Sequence, residues 1–246
     1  GNTDTIVIGA NADITTTGSA AGGGGAAGGA GGLVTFDTGN ALITLNDTTI
    51  DTSGGAGNGN GAQGAGGAVT FSDEVELATN TVTITTGDTA GKITFSDTVD
   101  STAAKALTLT AGTGDVEFGA AVGDTNELGK VTIVSAGTVD TGAAAFKAAE
   151  LDFDATTEIQ LDGLVTSTGE VDLTAALIDI NAGVTAAGQL VDLNAGANGL
   201  TVDGGAITTT GGAGAAGGAI DIDSDGAVAI NSSLVSSGGA NGGAGG

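Results

Sequence analysis

Apolar residues recur along this chain as triplets with a small or polar residue in the middle. Examples are Ile6-Val-Ile8, Val34-Thr-Phe36, Ile43-Thr-Leu45, Val69-Thr-Phe71, Val82-Thr-Ile84, Ile93-Thr-Phe95, Leu107-Thr-Leu109 and Val116-Glu-Phe118. The same pattern continues through Val131-Thr-Ile133, Leu151-Asp-Phe153, Val171-Asp-Leu173, Val191-Asp-Leu193 and Ile220-Asp-Ile222. A two-residue period puts the outer pair of each triplet on a buried face and the middle residue in water, which predicts short β-strands. Thr, Asp and Glu dominate the middle position, and the β-branch of Thr suits a pleated, half-exposed site.

The register between triplets predicts how the strands pair. Leu151, Val171 and Val191 recur every 20 residues, while Ile159 and Ile178, like Val165 and Val184, lie 19 apart. Phe71, Phe95 and Phe118 follow at intervals of 24 and 23. Three short strands in a period near 20 predict one turn of a parallel β-helix, each strand pairing with its equivalent one turn away. The expected fold class is therefore all-β, a right-handed parallel β-solenoid of roughly nine turns, or on the order of 45 Å at about 4.8 Å per strand spacing. Right-handedness follows from the preference of parallel crossovers. Strands of about three residues argue against an antiparallel sandwich. The helix-like segment Gly142–Glu150 is too short to stand alone and is expected to be a corner, with at most one helical turn and Phe146 tucked beneath it.

Four segments interrupt the pattern with Gly- and Ala-rich tracts at residues 18–32, 53–67, 211–218 and 238–246, within a single solenoid domain spanning 1–246. Each follows a shared motif: Ile14-Thr-Thr-Thr-Gly, Ile50-Asp-Thr-Ser-Gly, Ile207-Thr-Thr-Thr-Gly or Leu234-Val-Ser-Ser-Gly. If residue 246 is imagined running into residue 1, the motif order becomes Ile207, Leu234, Ile14, Ile50, with separations of 27, 26 and 36. That regularity places all four insertions at one corner and predicts a unit of a tandem array, or a subunit stacking on its copies. The opening Gly1-Asn-Thr-Asp and the closing Gly-Gly-Ala-Gly-Gly read as cuts through a longer polypeptide. The tracts are expected either as flexible loops or as extended polyglycine-type helices packed into a fin, where only Gly and Ala permit the close backbone approach.

Composition narrows the chemistry. The 246 residues include 49 Gly and six Phe but no Cys, His, Met, Trp, Tyr or Pro. General acid–base catalysis leans on His, nucleophilic catalysis on Cys or an activated Ser, and transition-metal sites on His and Cys. No catalytic, cofactor-binding or metal residue is assigned, and the chain is expected not to be an enzyme. Carboxylate-pair chemistry on carbohydrates is a remote alternative, weakened by the lack of Arg, Trp and Tyr. A net charge of −25 excludes nucleic acid, which is bound by neutralising phosphates, and disfavours anionic membrane surfaces. No apolar run is long enough for a membrane helix. Acidity without cysteine suits an extracellular or cell-surface protein kept soluble by charge. Val, Ile, Leu and Phe make up only about 22% of the chain, close to the composition of disordered chains, and it is their patterning that predicts order.

Two acidic constellations stand out. Asp221-Ile-Asp223-Ser-Asp225-Gly226 opens like a calcium loop, but Ser232 occupies the twelfth position and no helices flank it. Ca²⁺ is the only cofactor candidate; otherwise these residues are an outward strand edge and a turn. Asp152, Asp172 and Asp192, at 20-residue spacing, are expected to stack one strand apart, where like charges repel. Threonine-rich edges at Thr15–Thr17, Thr83–Thr86 and Thr208–Thr210 raise ice binding as a remote alternative, but their spacing does not predict recurrence on consecutive turns, which a flat ice-matching face would require.

Ile93-Thr-Phe-Ser-Asp-Thr-Val99, Leu107–Gly119 and Leu128–Gly137 resemble repeats of giant bacterial exoproteins of the filamentous haemagglutinin type, a likeness covering most of residues 69–200. The resemblance implies a long right-handed β-helical shaft, exported through an outer-membrane partner and used in adhesion or as extracellular fibre. Two functions follow as expectations: a self-associating structural filament whose partner is another copy or the adjacent repeat, or the shaft of an adhesin whose binding tip lies elsewhere.

Overall fold

A computed structural model describes residues 5–246; these form strands and turns with no α-helix, and every strand pairing among them is parallel. The pairings fall into three ladders. The first runs through Ile6, Ile43, Val75 and Val99, passes through Val122 by isolated bridges to Val99 and Phe146, and continues through Phe146, Val165, Val184, Ile207 and Leu234. The second runs through Ile14, Ile50, Ile84, Leu109, Ile133, Phe153, Leu173, Leu193 and Ile222. Val34, Val69, Ile93, Val116, Val139, Ile159, Ile178, Leu200 and Val228 make the third. Along the sequence the chain visits first, second and third ladder in unvarying order.

The two-residue period translates directly into burial. In Val69–Phe71, Ile93–Phe95 and Val116–Phe118 the outer residues are buried and the middle one is half-buried. All six phenylalanines touch in series. Phe36, Phe71, Phe95 and Phe118 stack face to face with ring centroids 4.8, 4.9 and 5.2 Å apart, because each occupies the same position of the third ladder. The next equivalent position holds Thr141, and there the column turns: Phe146 meets Phe118 edge-on at 5.2 Å, then Phe153 at 5.9 Å. The spacing of the stack follows the strand spacing, and the edge-on contacts are ones the ring quadrupole favours.

Two local expectations need correction. The strands are not uniformly short: Leu128–Asp140, Phe146–Leu161, Val171–Ile180 and Val191–Val202 run unbroken through the bend between the second and third ladders. Register shifts at that bend, such as Asp154/Glu158, absorb the change of direction without ending the pairing. Nor does Gly142–Glu150 contain a helical turn. Residues 142–145 make the corner, and Phe146 onward is extended, with Phe146 buried in the core. Parallel partners on both sides, Val122 and Val165, override the local helix propensity of the alanines.

Candidate functional site

The glycine-rich insertions form ordered, hydrogen-bonded layers. Residues 18–32 lie on residues 53–67 through the N–H groups of Gly18, Ala21, Gly28 and Gly31, donated to the carbonyls of Ser53, Ala56, Ala62 and Ala65 at 2.8–3.0 Å. Within one loop the two arms are joined by Gly29 N–H to Ser19 O and Gly32 N–H to Thr16 O. Bonds every third residue, aimed at different neighbours, are the signature of extended three-fold helices packed side by side. The second pair of insertions repeats the scheme, with Gly211, Gly214 and Gly217 donating to Ser237, Ala240 and Ala244. The fin reading of the tracts therefore describes them, and the flexible-loop reading does not.

Glycine is required where arms and layers meet. A Cβ on Gly28 would lie 1.8 Å from the carbonyl oxygen of Gly55, and one on Gly55 would lie 2.0 Å from that of Ser19. At the outer tip, Gly22 has nothing within 4 Å. Three of the four loops are closed at the base by a threonine hydroxyl: Thr16 donates to Gly32 O, Thr52 to Gly67 O and Thr209 to Gly218 O, at 2.6–2.7 Å, while at the fourth the Ser236 hydroxyl donates to Gly218 O of the neighbouring layer. Thr86 makes the same latch to Gly91 O across a much shorter loop. Beneath the 53–67 layer the hydroxyl of Thr89 accepts from Gly66 N–H and donates to Gly64 O, finishing the fin on that side.

The fins do not share one corner. Those at 18–32 and 53–67 follow Ile14 and Ile50 of the second ladder, whereas 211–218 and 238–246 follow Ile207 and Leu234 of the first. The expectation of a single corner fails because the Ile-Thr-Thr-Thr-Gly motif encodes a strand end and a latch, which work equally well after either ladder.

The acidic ladder is present and longer than the spacing predicted: Asp152, Asp172, Asp192 and Asp221 stand side by side on four successive strands. Partial burial, and then the charges of Asp192, Asp152, Glu170 and Asp154, push the Asp172 carboxyl above its ordinary value. Burial, with the neighbouring Asp152, does the same to Asp154. One end of the row is neutralised by Lys130, whose ammonium lies 2.8 Å from both Glu150 and Asp152 and is held charged by them. Lys92 pairs likewise with Glu117, and Lys147 with Asp124, so these lysines fasten neighbouring layers to each other.

The calcium-loop candidate is drawn out in a strand. Asp221 lies beside Asp192 and Asp223 beside Asn194, and the extended backbone separates the carboxylates instead of wrapping them. Among the described residues no three His, Cys, Asp or Glu side chains are grouped to hold a metal ion. A shallow groove of about 380 Å³ at the bend is lined by Ala155, Ala175, Ala195, Asn194, Asp223 and Asp225, among others, with no nucleophile–base pair.

Outward threonines do recur on consecutive layers, contrary to the sequence reading. Thr49, Thr83, Thr108 and Thr132 stand in one row of the second ladder, flanked by Thr85 and Thr110, until Asp152 ends it. The repetition was hidden because Thr49 and Thr83 lie 34 residues apart across an insertion. The sequence pattern gives no sign of a buried carboxylate at Asp73, which accepts hydrogen bonds from the N–H and hydroxyl of Thr38 and from Asn40 N–H; these pin the turn at 37–41 and hold its pKa low.

No protein family, no curated protein and no solved structure matches the chain.

Proposed function

We propose that the three ladders close into a right-handed parallel β-helix of about nine turns, three strands to a turn, and that the molecule is a structural, non-catalytic extracellular scaffold that stacks end to end. The observation that carries this reading is the state of the two edge layers. Interior apolar positions are almost wholly buried, whereas Ile6, Ile8, Ile14 and Val34 at one edge and Ile220, Ile222 and Ile230 at the other are only partly covered. Open parallel edges with apolar rows behind them are a template for another layer of the same kind. A charge of −25 spread over the sides keeps rods apart laterally while leaving the edges to associate. Sedimentation velocity over a hundredfold concentration range tests it. Growth into rods supports the filament; a monodisperse monomer at every concentration refutes it and favours the second reading, the shaft of a surface adhesin of the filamentous haemagglutinin type, exported through an outer-membrane partner.

The row Thr49–Thr132 favours one further use of the surface, the ordering of water on a repeating hydroxyl array. Thermal hysteresis of a dilute solution, abolished by Thr83→Lys and Thr108→Lys, would support it, and its absence in the unaltered chain would dismiss it.

A further inference from the structure

The tip of the 53–67 fin carries the sequence Asn58-Gly-Asn-Gly61, and a third Asn-Gly pair, Asn198–Gly199, lies in the shaft. An asparagine followed by glycine is open to attack by its own chain, because no side chain shields the next backbone nitrogen. We propose that the fin tip is a self-modifying site, where Asn58 and Asn60 convert to aspartate and isoaspartate while Asn198 is protected by the fold. The inference does not depend on end-to-end stacking.

The chemistry needs only water. The backbone nitrogen of the glycine attacks the side-chain carbon Cγ of the asparagine, a five-membered imide closes, and the side-chain nitrogen leaves as ammonia with the proton the glycine gives up. Water then opens the imide at one of its two carbonyls, giving aspartate or isoaspartate. To reach Cγ the peptide after the asparagine must swing, so the rate follows how freely that peptide turns.

The two places differ sharply in that freedom. At the tip Asn58, Gly59 and Asn60 are exposed, Gly59 has a φ of 59°, and a Cβ built on it would meet nothing within 4 Å. Among the described residues Gly59 N–H has no backbone partner. The tip is held by Gly61 N–H to Asn58 O at 2.9 Å and Asn58 N–H to Ala26 O at 3.1 Å, so opening one turn is enough to release it. Asn198–Gly199 instead lies within the strand Val191–Val202. Gly199 is buried and paired with Leu177, a Cβ on it would lie 2.0 Å from Ala227 O, and the next amide, Leu200 N–H, donates to that same oxygen. Swinging this peptide would break the shaft on both sides. The change matters at the tip because tracts 18–32 and 53–67 contain no charged residue. Each conversion therefore adds a carboxylate to a neutral fin, and isoaspartate at 58 lengthens the backbone and draws Asn58 O away from Gly61 N–H. The tip gains charge and loosens with age, while the base stays latched by Thr52 to Gly67 O.

Incubation of the purified chain in mildly alkaline buffer, followed by peptide mass spectrometry that separates aspartate from isoaspartate, tests this. The peptide holding Asn58 and Asn60 is expected to turn acidic at least about tenfold faster than the peptide holding Asn198, and in denaturant the two rates should converge. Asn58→Gln/Asn60→Gln should abolish the tip signal and leave hydrogen-exchange protection of the fin unchanged. Equal rates in the folded chain, a faster reaction at Asn198, or no acid at the tip overturns the proposal.

Discussion

Replacing Gly55 by Ala puts a methyl group between two backbones. Its carbon would lie 2.0 Å from Ser19 O, 2.4 Å from Ser19 C and 2.7 Å from Gly18 O, and none of these is a side chain that can swing away. Reaching even the 3.0 Å that real Cβ contacts respect requires the layers to part by about 1 Å locally. The bonds Gly18 N–H to Ser53 O and Gly55 N–H to Gly29 O, each 2.8 Å, then stretch to about 3.8 Å and are lost. At about 1 kcal/mol net per bond, the fin loses about 2 kcal/mol, a roughly thirtyfold rise in its opening equilibrium. Hydrogen exchange followed by mass spectrometry checks this. Amides of 18–32 and 53–67 should exchange about thirtyfold faster in Gly55→Ala, while Val69–Phe71 and the strands beyond keep their protection. Gly22→Ala, at the open tip, should leave the fin unchanged. Equal exchange in the two variants, or fin amides already unprotected in the parent, would refute the packed fin.

Three further outcomes are expected. Phe95→Ala removes the ring that is stacked on both Phe71 and Phe118 and should cost about 3–5 kcal/mol in denaturant unfolding, with protection lost first on the Val69–Phe71 and Val116–Phe118 strands. Thr52→Val leaves Gly67 O without its 2.6 Å partner and should cost about 1–2 kcal/mol, confined in exchange experiments to residues 53–67. For pH, the folded state holds the protons of Asp172 and Asp154 more tightly than the unfolded chain does, so their contribution to stability should rise as pH falls from neutral toward the ordinary carboxylate value of 3.8, and Asp172→Asn should flatten that limb of the melting curve. Asp73 has the opposite sign: its contribution is present above the ordinary value of 3.8 and is lost as pH falls below it, loosening the turn at 37–41.

Much of this architecture is legible in residue spacing. Val171 and Val191, 20 apart, do pair, and Phe71, Phe95 and Phe118 form the central column. These features are local periods repeated without interruption. The corner of each fin is not local. It depends on how many strands intervene, and several visits to the first ladder carry only one large apolar residue, as in Val122, Phe146-Lys-Ala148, Val165-Thr-Ser167 and Val184-Thr-Ala186. Such visits escape a search for triplets, and each one missed shifts the inferred corner by a third of a turn. The latches were hidden for a related reason: Thr52 and Gly67 are joined only once the tract between them folds back on itself. Asp73 reaches across 35 residues to Thr38, a pairing that no spacing rule anticipates.

Electron cryo-microscopy of the purified 246-residue chain at high concentration tests the central claim most directly. The account predicts filaments one molecule wide, with strands perpendicular to the axis at about 4.8 Å and units about 45 Å long. Isolated single rods at all concentrations, or rods joined side to side with both apolar edges left open, would contradict it.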